Sequence, residues 1–197
     1  KNDRRAIFEE KKALIQDKGS SKDWQERELA LKAMEDIFED KPGRVSYSKQ
    51  ELMDDDFLQN CLILLKTCLE ENNMTIYLQA LQVGSSFFEK ALNSDVVHGS
   101  LQSLIQPVIL RTTDTNTRIR KKSVELIYQI WDFKKLVGVK FNNTRDSQDE
   151  RIMKYDSICQ ILADEICNSS HGEKAIIGRL GLFIKRAIIL EGSKDLV

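Results

Sequence analysis

Apolar residues recur along this chain at spacings of three and four positions, as they do on one face of an α-helix. No segment alternates apolar and polar residues in the way that a half-buried strand would. The segments with helical spacing are Ile7–Lys18, Ala30–Phe38, Asp56–Glu71, Tyr77–Ala91, Ser100–Arg111, Ile119–Trp131, Tyr155–Asn168 and Ile176–Ala187. The pattern therefore predicts an all-α protein with about eight helices.

The predicted helices form pairs, because short polar linkers alternate with longer ones. The linkers within pairs cover residues 19–23, 71–73, 112–116 and 169–172. The linkers between pairs cover residues 40–54, 93–99 and 136–150. One tight and one loose connection for each pair are typical of a helical-hairpin repeat.

The second helices of the four pairs begin with similar elements, which start at Asp23, Asn73, Asn116 and Gly172. Seven and eight residues later come a small residue and an aliphatic one, except that Arg179 replaces the small residue in the fourth element. The offsets between the elements are near the roughly 40–47 residues of HEAT repeats. The repeats therefore predict an α-solenoid, since a hairpin that cannot bury its apolar face alone stacks on its neighbours.

About four HEAT-like hairpins are expected in this solenoid. Their approximate ranges are 4–40, 55–92, 99–135 and 151–191. We expect them to form a single domain over residues 1–197 that is incomplete at its C-terminus.

The charge of the chain is balanced overall but uneven along its length. The 30 lysines and arginines against 31 acids give a net charge of -1. Residues 111–145 nevertheless carry nine Lys or Arg and three acids. Residues 54–110 instead carry two Lys or Arg and seven acids. A nucleic-acid-binding repeat would normally be basic, so that alternative is weak, and no apolar run is long enough to span a membrane. We expect neither nucleic acid nor membrane as a partner.

The sequence contains no catalytic motif such as GxSxG, HExxH, GxGxxG or a P-loop. His98 and His171 fall in predicted loops without neighbouring metal ligands. The run Asp54-Asp55-Asp56 precedes a predicted helix, where its charge would complement the helix dipole rather than bind a metal ion. We therefore expect a protein that is not an enzyme and has no cofactor and no metal.

The four cysteines lie in two pairs, Cys61 with Cys68 and Cys159 with Cys167. Their spacings of seven and eight residues place each pair on one face of a helix. We predict buried core residues in a reducing cytosol rather than disulfides or metal ligands.

Basic residues gather where the second helices begin. Residues 118–122 include Arg118 and Arg120, while Lys22 and Lys174 occupy comparable places in the first and fourth hairpins. In a stacked array the loops within pairs align along one edge, so these cations would form a ridge suited to an acidic protein surface. A solvated helix face would explain the same charges, and both interpretations stay open.

Trp24 opens the second helix of the first hairpin, next to a polar loop. A tryptophan at a helix start commonly packs on its own hairpin. The other interpretation is an exposed aromatic anchor, because tryptophan is enriched among the residues that dominate binding energy at interfaces. Exposure of the indole would favour the second.

These elements resemble those of a known family. Lys22–Leu31 resembles the first-repeat signature of TOG domains, and Asp114–Arg120 resembles their third-repeat pattern. Gln106–Asp114 and Ile177–Lys185 are more closely similar to the TOG domain of ciliary-tip centrosomal proteins that also carry a jelly roll, a coiled coil and zinc fingers. Together the similar segments cover nearly the whole chain.

The resemblance implies a paddle-like HEAT array that binds αβ-tubulin through its intra-repeat loops. Carried onto this chain, the tubulin-binding residues are Lys22, Trp24, Asn73, Thr75, Arg118, Arg120 and Lys174. The second loop lacks the basic or aliphatic contact often found there, and TOG domains usually have six repeats, of which four are visible.

The expected function is that of a tubulin- or microtubule-binding module in a microtubule-associated protein. The resemblance places it in the cytoplasm, on the cytoskeleton, at the cilium tip or centriole. Its expected partners are αβ-tubulin or microtubule ends, with other ciliary or centriolar proteins bound by the rest of the parent chain. The alternative is a generic HEAT or armadillo scaffold that binds a protein or peptide in its concave groove.

Overall fold

The computed structural model describes residues 2–39, 47–132, 160–168, 170 and 172–192. Its helices are α1 (Asn2–Lys18), α2 (Trp24–Phe38), α3 (Lys49–Leu52), α4 (Asp55–Leu69), α5 (Met74–Ala91), α6 (Asp95–Leu110), the 3-10 turn η1 (Arg111–Thr113), α7 (Thr117–Trp131), α8 (residues 160–166) and α9 (Glu173–Gly192). These residues contain no strand. The all-α fold predicted from the apolar spacing is confirmed.

The helices stack in two layers. The first helices α1, α4 and α6 pack side by side in one layer, and the second helices α2, α5 and α7 do so in the other. Each first helix also packs on its own second helix. The fourth pair continues both layers, since Gln102 of α6 donates to Glu165 of α8 (3.1 Å) and Tyr128 of α7 donates to the Leu182 carbonyl of α9 (2.8 Å). This is the expected helical-repeat arrangement.

One hydrophobic core runs through the stacked hairpins rather than one core for each hairpin. Phe57 of α4 lies 5.6 Å from Phe8 of α1 and 5.9 Å from Phe38 of α2, between ring centroids. Phe38 in turn meets Phe87 of α5 at 5.0 Å. Because each buried side chain of this size contributes about 1.5–3 kcal/mol, the first two hairpins stabilise each other.

Helix α6 begins earlier than its sequence pattern predicts. Residues 93–99 were expected to be a linker, but α6 starts at Asp95 and only Leu92–Ser94 connect it to α5. Val97 is fully buried and pins the first turn, while Gly99 has open space around it and is tolerated there. His98 is therefore a half-buried helical residue, and its expected loop position is wrong.

The cysteine prediction is correct for one pair and wrong for part of the other. Cys61 and Cys68 are buried in α4, and burial raises the pKa of Cys68 to about 12 and that of Cys61 well above its usual value. Cys167 is instead exposed, because it follows the last turn of α8. Cys159, His171 and the predicted linker 136–150 lie outside the described residues.

The linker 40–54 is also more ordered at its end than predicted. It contains α3, and Tyr47 before it is buried against Phe8, with ring centroids 4.8 Å apart. Asp54 then caps α4 by accepting from the Phe57 amide at 2.8 Å, which confirms the helix-start interpretation of the acidic run. Within the described part of the chain, no helix is long and apolar enough to cross a membrane.

Candidate interaction edge

Three loops within hairpins lie next to one another and form what we call the loop edge. They are the first loop (residues 19–23), the second loop (residues 70–73) and the third loop (residues 111–116). The Asn116 side-chain amide donates to the Met74 sulfur at 3.3 Å, and Arg111 donates to the Glu71 carbonyl at 2.6 Å. Arg27, just after the first loop, pairs with Glu71. The edge predicted from the stacking of hairpins is therefore continuous from the first loop to the third.

Each loop ends in a helix cap of the predicted kind. Asp23 accepts from the Gln25 amide at 2.9 Å, Asn73 from the Thr75 amide at 3.0 Å and Asn116 from the Arg118 amide at 2.9 Å. The three second helices consequently start in the same way. Asn73, which the resemblance makes a tubulin contact, has its side-chain oxygen engaged in this cap, so it acts on the edge by holding the start of α5.

Trp24 is exposed rather than packed within its hairpin. Its relative exposure is 43%, although it lies at the first turn of α2. Lys22, two residues earlier in the first loop, is exposed as well. The structure therefore favours the anchor interpretation of Trp24 over the packing interpretation, and it leaves both an indole and an ammonium group exposed near the start of α2.

Arg27 ties the first loop to the second. Its guanidinium donates to the Ser21 carbonyl at 2.6 Å and forms a salt bridge with the Glu71 carboxylate. Only 5% of Arg27 is exposed. A planar guanidinium with several donors is suited to such bridging, because one group can satisfy a carbonyl and a carboxylate together.

Arg111 makes the corresponding tie between the second and third loops. It donates to the Glu71 carbonyl and its guanidinium carbon lies 4.2 Å above the Tyr77 ring centroid. The Tyr77 hydroxyl is hydrogen-bonded to Ser123 of α7 at 2.7 Å. Burial raises the pKa of Tyr77 to about 12, so the hydroxyl stays neutral throughout the physiological range.

The two arginines predicted for the third loop have different environments. Arg120 is half-buried and donates to the Asp114 carbonyl at 2.7 Å and to the Thr117 hydroxyl at 3.2 Å. Arg118 is exposed, and no described side chain pairs with its guanidinium. Of the two, Arg118 is therefore the cation that the third loop offers to a partner, while Arg120 mainly shapes the loop.

The fourth hairpin joins the edge through a buried arginine. Arg179 of α9 is only 2% exposed and donates to the Leu110 carbonyl at the end of α6 (3.3 Å). Burial lowers the pKa of Arg179 from its usual value. The other three repeats have a small residue at this position. Lys174 is exposed at the first turn of α9.

Carboxylates also shape the first loop. Glu26 accepts from Lys18 at 2.6 Å and from the Ser21 hydroxyl at 2.6 Å. The hydrogen bond from Lys18 is the largest cause of the lowered pKa of Glu26, followed by that from Ser21.

Among the described residues no group of three or more His, Cys, Asp or Glu side chains could hold a metal ion.

Sequence reasoning did not identify Arg27, and it gave Arg120 a binding role rather than the bracing role that the structure shows. Arg27 and Arg120 occupy the same position of the repeat, four residues after Asp23 and Asn116, and each donates to the carbonyl six residues before it. That repeated position is a signal which the sequence alone contains. The partner Glu71 is 44 residues from Arg27, so the bridge itself could not be predicted from local spacing.

The chain was compared with family models, curated proteins and solved structures. No family model matches it, and neither does any curated protein or solved structure.

Proposed function

We propose that this chain is a non-catalytic module that binds αβ-tubulin or microtubule ends through its loop edge, as the TOG resemblance implies. The observation that carries the proposal is Trp24, which is 43% exposed at the first turn of α2. An apolar side chain of this size left in water gains free energy when a partner covers it.

Preorganisation supports the same proposal. Arg27 fixes the first loop to the second, and Arg111 fixes the second to the third. A partner that contacts several loops at once therefore does not have to order them, which lowers the entropic cost of binding.

The exposed cations of the edge fit an acidic protein. Lys22, Arg118 and Lys174 project from the first, third and fourth hairpins, and all three are exposed. Cations spread along one edge steer an acidic surface into the correct orientation and raise the association rate. Thr75 of the second hairpin is exposed between them and offers a hydroxyl.

We place the module in a cytoplasmic, microtubule-associated protein of the cilium tip or centriole. In that setting the remainder of the parent protein binds other ciliary or centriolar proteins. The module itself needs no cofactor, metal, nucleic acid or membrane for this role.

The test measures the affinity of the purified chain for soluble αβ-tubulin. We expect Trp24→Ala to weaken binding about tenfold or more, equivalent to roughly 1.4 kcal/mol, because an aromatic anchor that the partner would cover is lost. Arg118→Ala in addition should weaken it further and reduce the salt dependence.

The matched controls lie away from the edge. Ile63 of α4 is 41% exposed, close to the exposure of Trp24, and Arg5 is an exposed cation of α1. Ile63→Ala and Arg5→Ala should leave the affinity unchanged. Equal affinity of the Trp24→Ala, Arg118→Ala double variant and the unmodified chain would refute binding through this edge.

A further inference from the structure

A groove runs between α5 and α7 on the layer of second helices. Its volume is about 560 Å³. Side chains of α5 line one wall and side chains of α7 the other, including Thr75, Leu78, Gln79, Gln82, Arg118 and Gln129. The groove opens at the loop edge, where Thr75 and Arg118 lie, and extends along the helices away from it.

The α5 wall carries a row of polar side chains. The row consists of Thr75 and the residues four, seven and eleven positions after it, which are Gln79, Gln82 and Ser86. At these spacings all four side chains share one face of the helix. The row spans about 16 Å, since an α-helix rises about 1.5 Å per residue. Gln79 and Gln82 have no hydrogen-bond partner among the described residues.

The α7 wall adds a third primary amide. Gln129 accepts from the Ser85 hydroxyl at 2.7 Å through its side-chain oxygen, which leaves the amide nitrogen to donate elsewhere. A glutamine amide offers both a donor and an acceptor, as a peptide group does. Amides on both walls therefore match the main-chain groups of an extended polypeptide. About five residues of such a strand cover 16 Å, because a strand rises about 3.3 Å per residue.

The charges of the groove indicate whether a bound molecule should be acidic or basic. Glu28 is paired with Lys32 at 2.7 Å, and Glu125 is paired with Lys122 at 2.7 Å. The Arg118 guanidinium has no partner among the described side chains. The charge that remains uncompensated is positive and lies at the end of the groove nearest the loop edge.

We propose that this groove is a second binding site, which takes an extended acidic peptide segment of about five residues with a carboxylate next to Arg118. The glutamine amides bind the peptide main chain. Leu78, which is only partly buried, and the buried Leu126 of the opposite wall supply an apolar floor for one side chain of the peptide. This site extends from the Arg118 end of the loop edge along α5 and α7, and it does not require tubulin as the partner.

The test titrates the ¹⁵N-labelled chain with a blocked hexaglutamate peptide and follows the glutamine side-chain amides by NMR. We expect the amide signals of Gln79, Gln82 and Gln129 to shift, with Gln106 of α6 as an exposed internal reference. Blocked hexalysine should shift none of them. A hexaglutamate that is N-methylated along its main chain should bind at least fivefold more weakly, because it cannot donate to the amides.

Variants separate the two parts of the site. Arg118→Gln and Gln82→Leu should each weaken hexaglutamate binding about fivefold, whereas Gln106→Leu should not. Gln82 is exposed, so its replacement leaves the fold intact, and circular dichroism on each variant verifies this. Equal binding by all variants, or binding that ignores N-methylation, would overturn the proposal.

Two further results would also overturn it. A dimer in analytical ultracentrifugation that Gln82→Leu dissociates would make a second copy of this chain the occupant. Shifts confined to lysine-rich surfaces elsewhere would mean nonspecific attraction. Arg118 belongs to both the groove and the loop edge, but two other variants distinguish the two proposals. Trp24→Ala is expected to weaken tubulin binding and leave the peptide affinity unchanged, while Gln82→Leu does the reverse.

Discussion

The first and third loops are built on the same plan but held with different strength. In both, an arginine four residues after the cap donates to the carbonyl six residues before it, from Arg27 to Ser21 and from Arg120 to Asp114. Arg27 is 5% exposed and has the carboxylate of Glu71 as a second partner, whereas Arg120 is half-buried and has only neutral partners in its own loop. The difference shows that position in the array, and not the repeat motif, decides whether this arginine joins two hairpins.

Arg27→Ala should lower the stability of the chain more than any other variant discussed below, and so should separate the first loop from the third most clearly. It removes a buried cation and leaves the Glu71 carboxylate, itself only partly exposed, without its partner. We expect the free energy of unfolding to fall by about 1.5–3 kcal/mol, the range for a lost hydrogen bond to a charged group, because the remaining Glu71 carboxylate keeps part of its contact with water. Urea unfolding followed by circular dichroism measures it. Adding Glu71→Gln should recover part of the loss, and a loss below about 1 kcal/mol for Arg27→Ala would contradict a buried bridge.

Cap removal should affect the two loops alike, apart from the weak bond that Asn116 also donates to the Met74 sulfur. Asp23→Ala and Asn116→Ala each delete a side chain that accepts from the start of a second helix. We expect a loss of about 1 kcal/mol for each, by thermal unfolding. Asn72→Ala, in the second loop next to the Asn73 cap, is the control and should change little. A large difference between the two cap variants would mean that the loops differ in more than their arginines.

Arg120→Ala should cost less than Arg27→Ala. Its acceptors, the Asp114 carbonyl and the Thr117 hydroxyl, are local and uncharged, and no carboxylate is left unpaired, so we expect a loss of about 0.5–1.5 kcal/mol in urea unfolding. Arg118→Ala, at an exposed neighbouring position, should leave stability nearly unchanged and lower tubulin affinity instead. The opposite ranking, with Arg118 important for stability, would contradict the environments described here.

The smallest expected effect is a change in how stability depends on pH. The pKa of Glu26 in the first loop is lowered, chiefly by the hydrogen bond from Lys18, below its ordinary value of 4.5. A carboxylate with a lowered folded pKa contributes stability above its ordinary pKa and loses it as the pH falls through the folded value. We therefore expect Glu26→Gln to be less stable than the unmodified chain at pH 7 and equally stable well below pH 4.5. Urea midpoints at neutral and strongly acidic pH check this, and the third loop, which has no equivalent carboxylate at residue 119, provides the contrast.

The repeat architecture could be predicted because its signals are local. Cap residues, short polar loops and apolar spacing recur in each hairpin, and neighbouring residues supply the physical cause of each signal. Asp54 and Asn116 illustrate this, since each caps the helix that follows it. The start of α6 was missed because Gly99 suggested a break, while the burial of Val97 that overrides it depends on the rest of the array.

The candidate site could be predicted only in part, for the same reason. The alignment of the loops follows from stacking, so the shared edge of Trp24, Thr75 and Arg118 was expected. The exposure of Trp24 could not be predicted, because it depends on which residues of the folded array pack against the indole. The bridge from Arg27 to Glu71 and the contact from Arg179 to Leu110 join residues 44 and 69 positions apart, and no local pattern announces them.

The unequal burial of the cysteines makes the molecule convenient to label. Cys167 is exposed, whereas the thiols of Cys61 and Cys68 are covered and their pKa values are raised by burial. Among the cysteines that the structure describes, a maleimide dye should react quickly with Cys167 and slowly with Cys61 and Cys68, because the thiolate is the reactive form. The rate at which Cys61 and Cys68 are modified then measures how often α4 opens, and mass spectrometry follows each residue separately. The fluorophore on Cys167 reports binding at the same time.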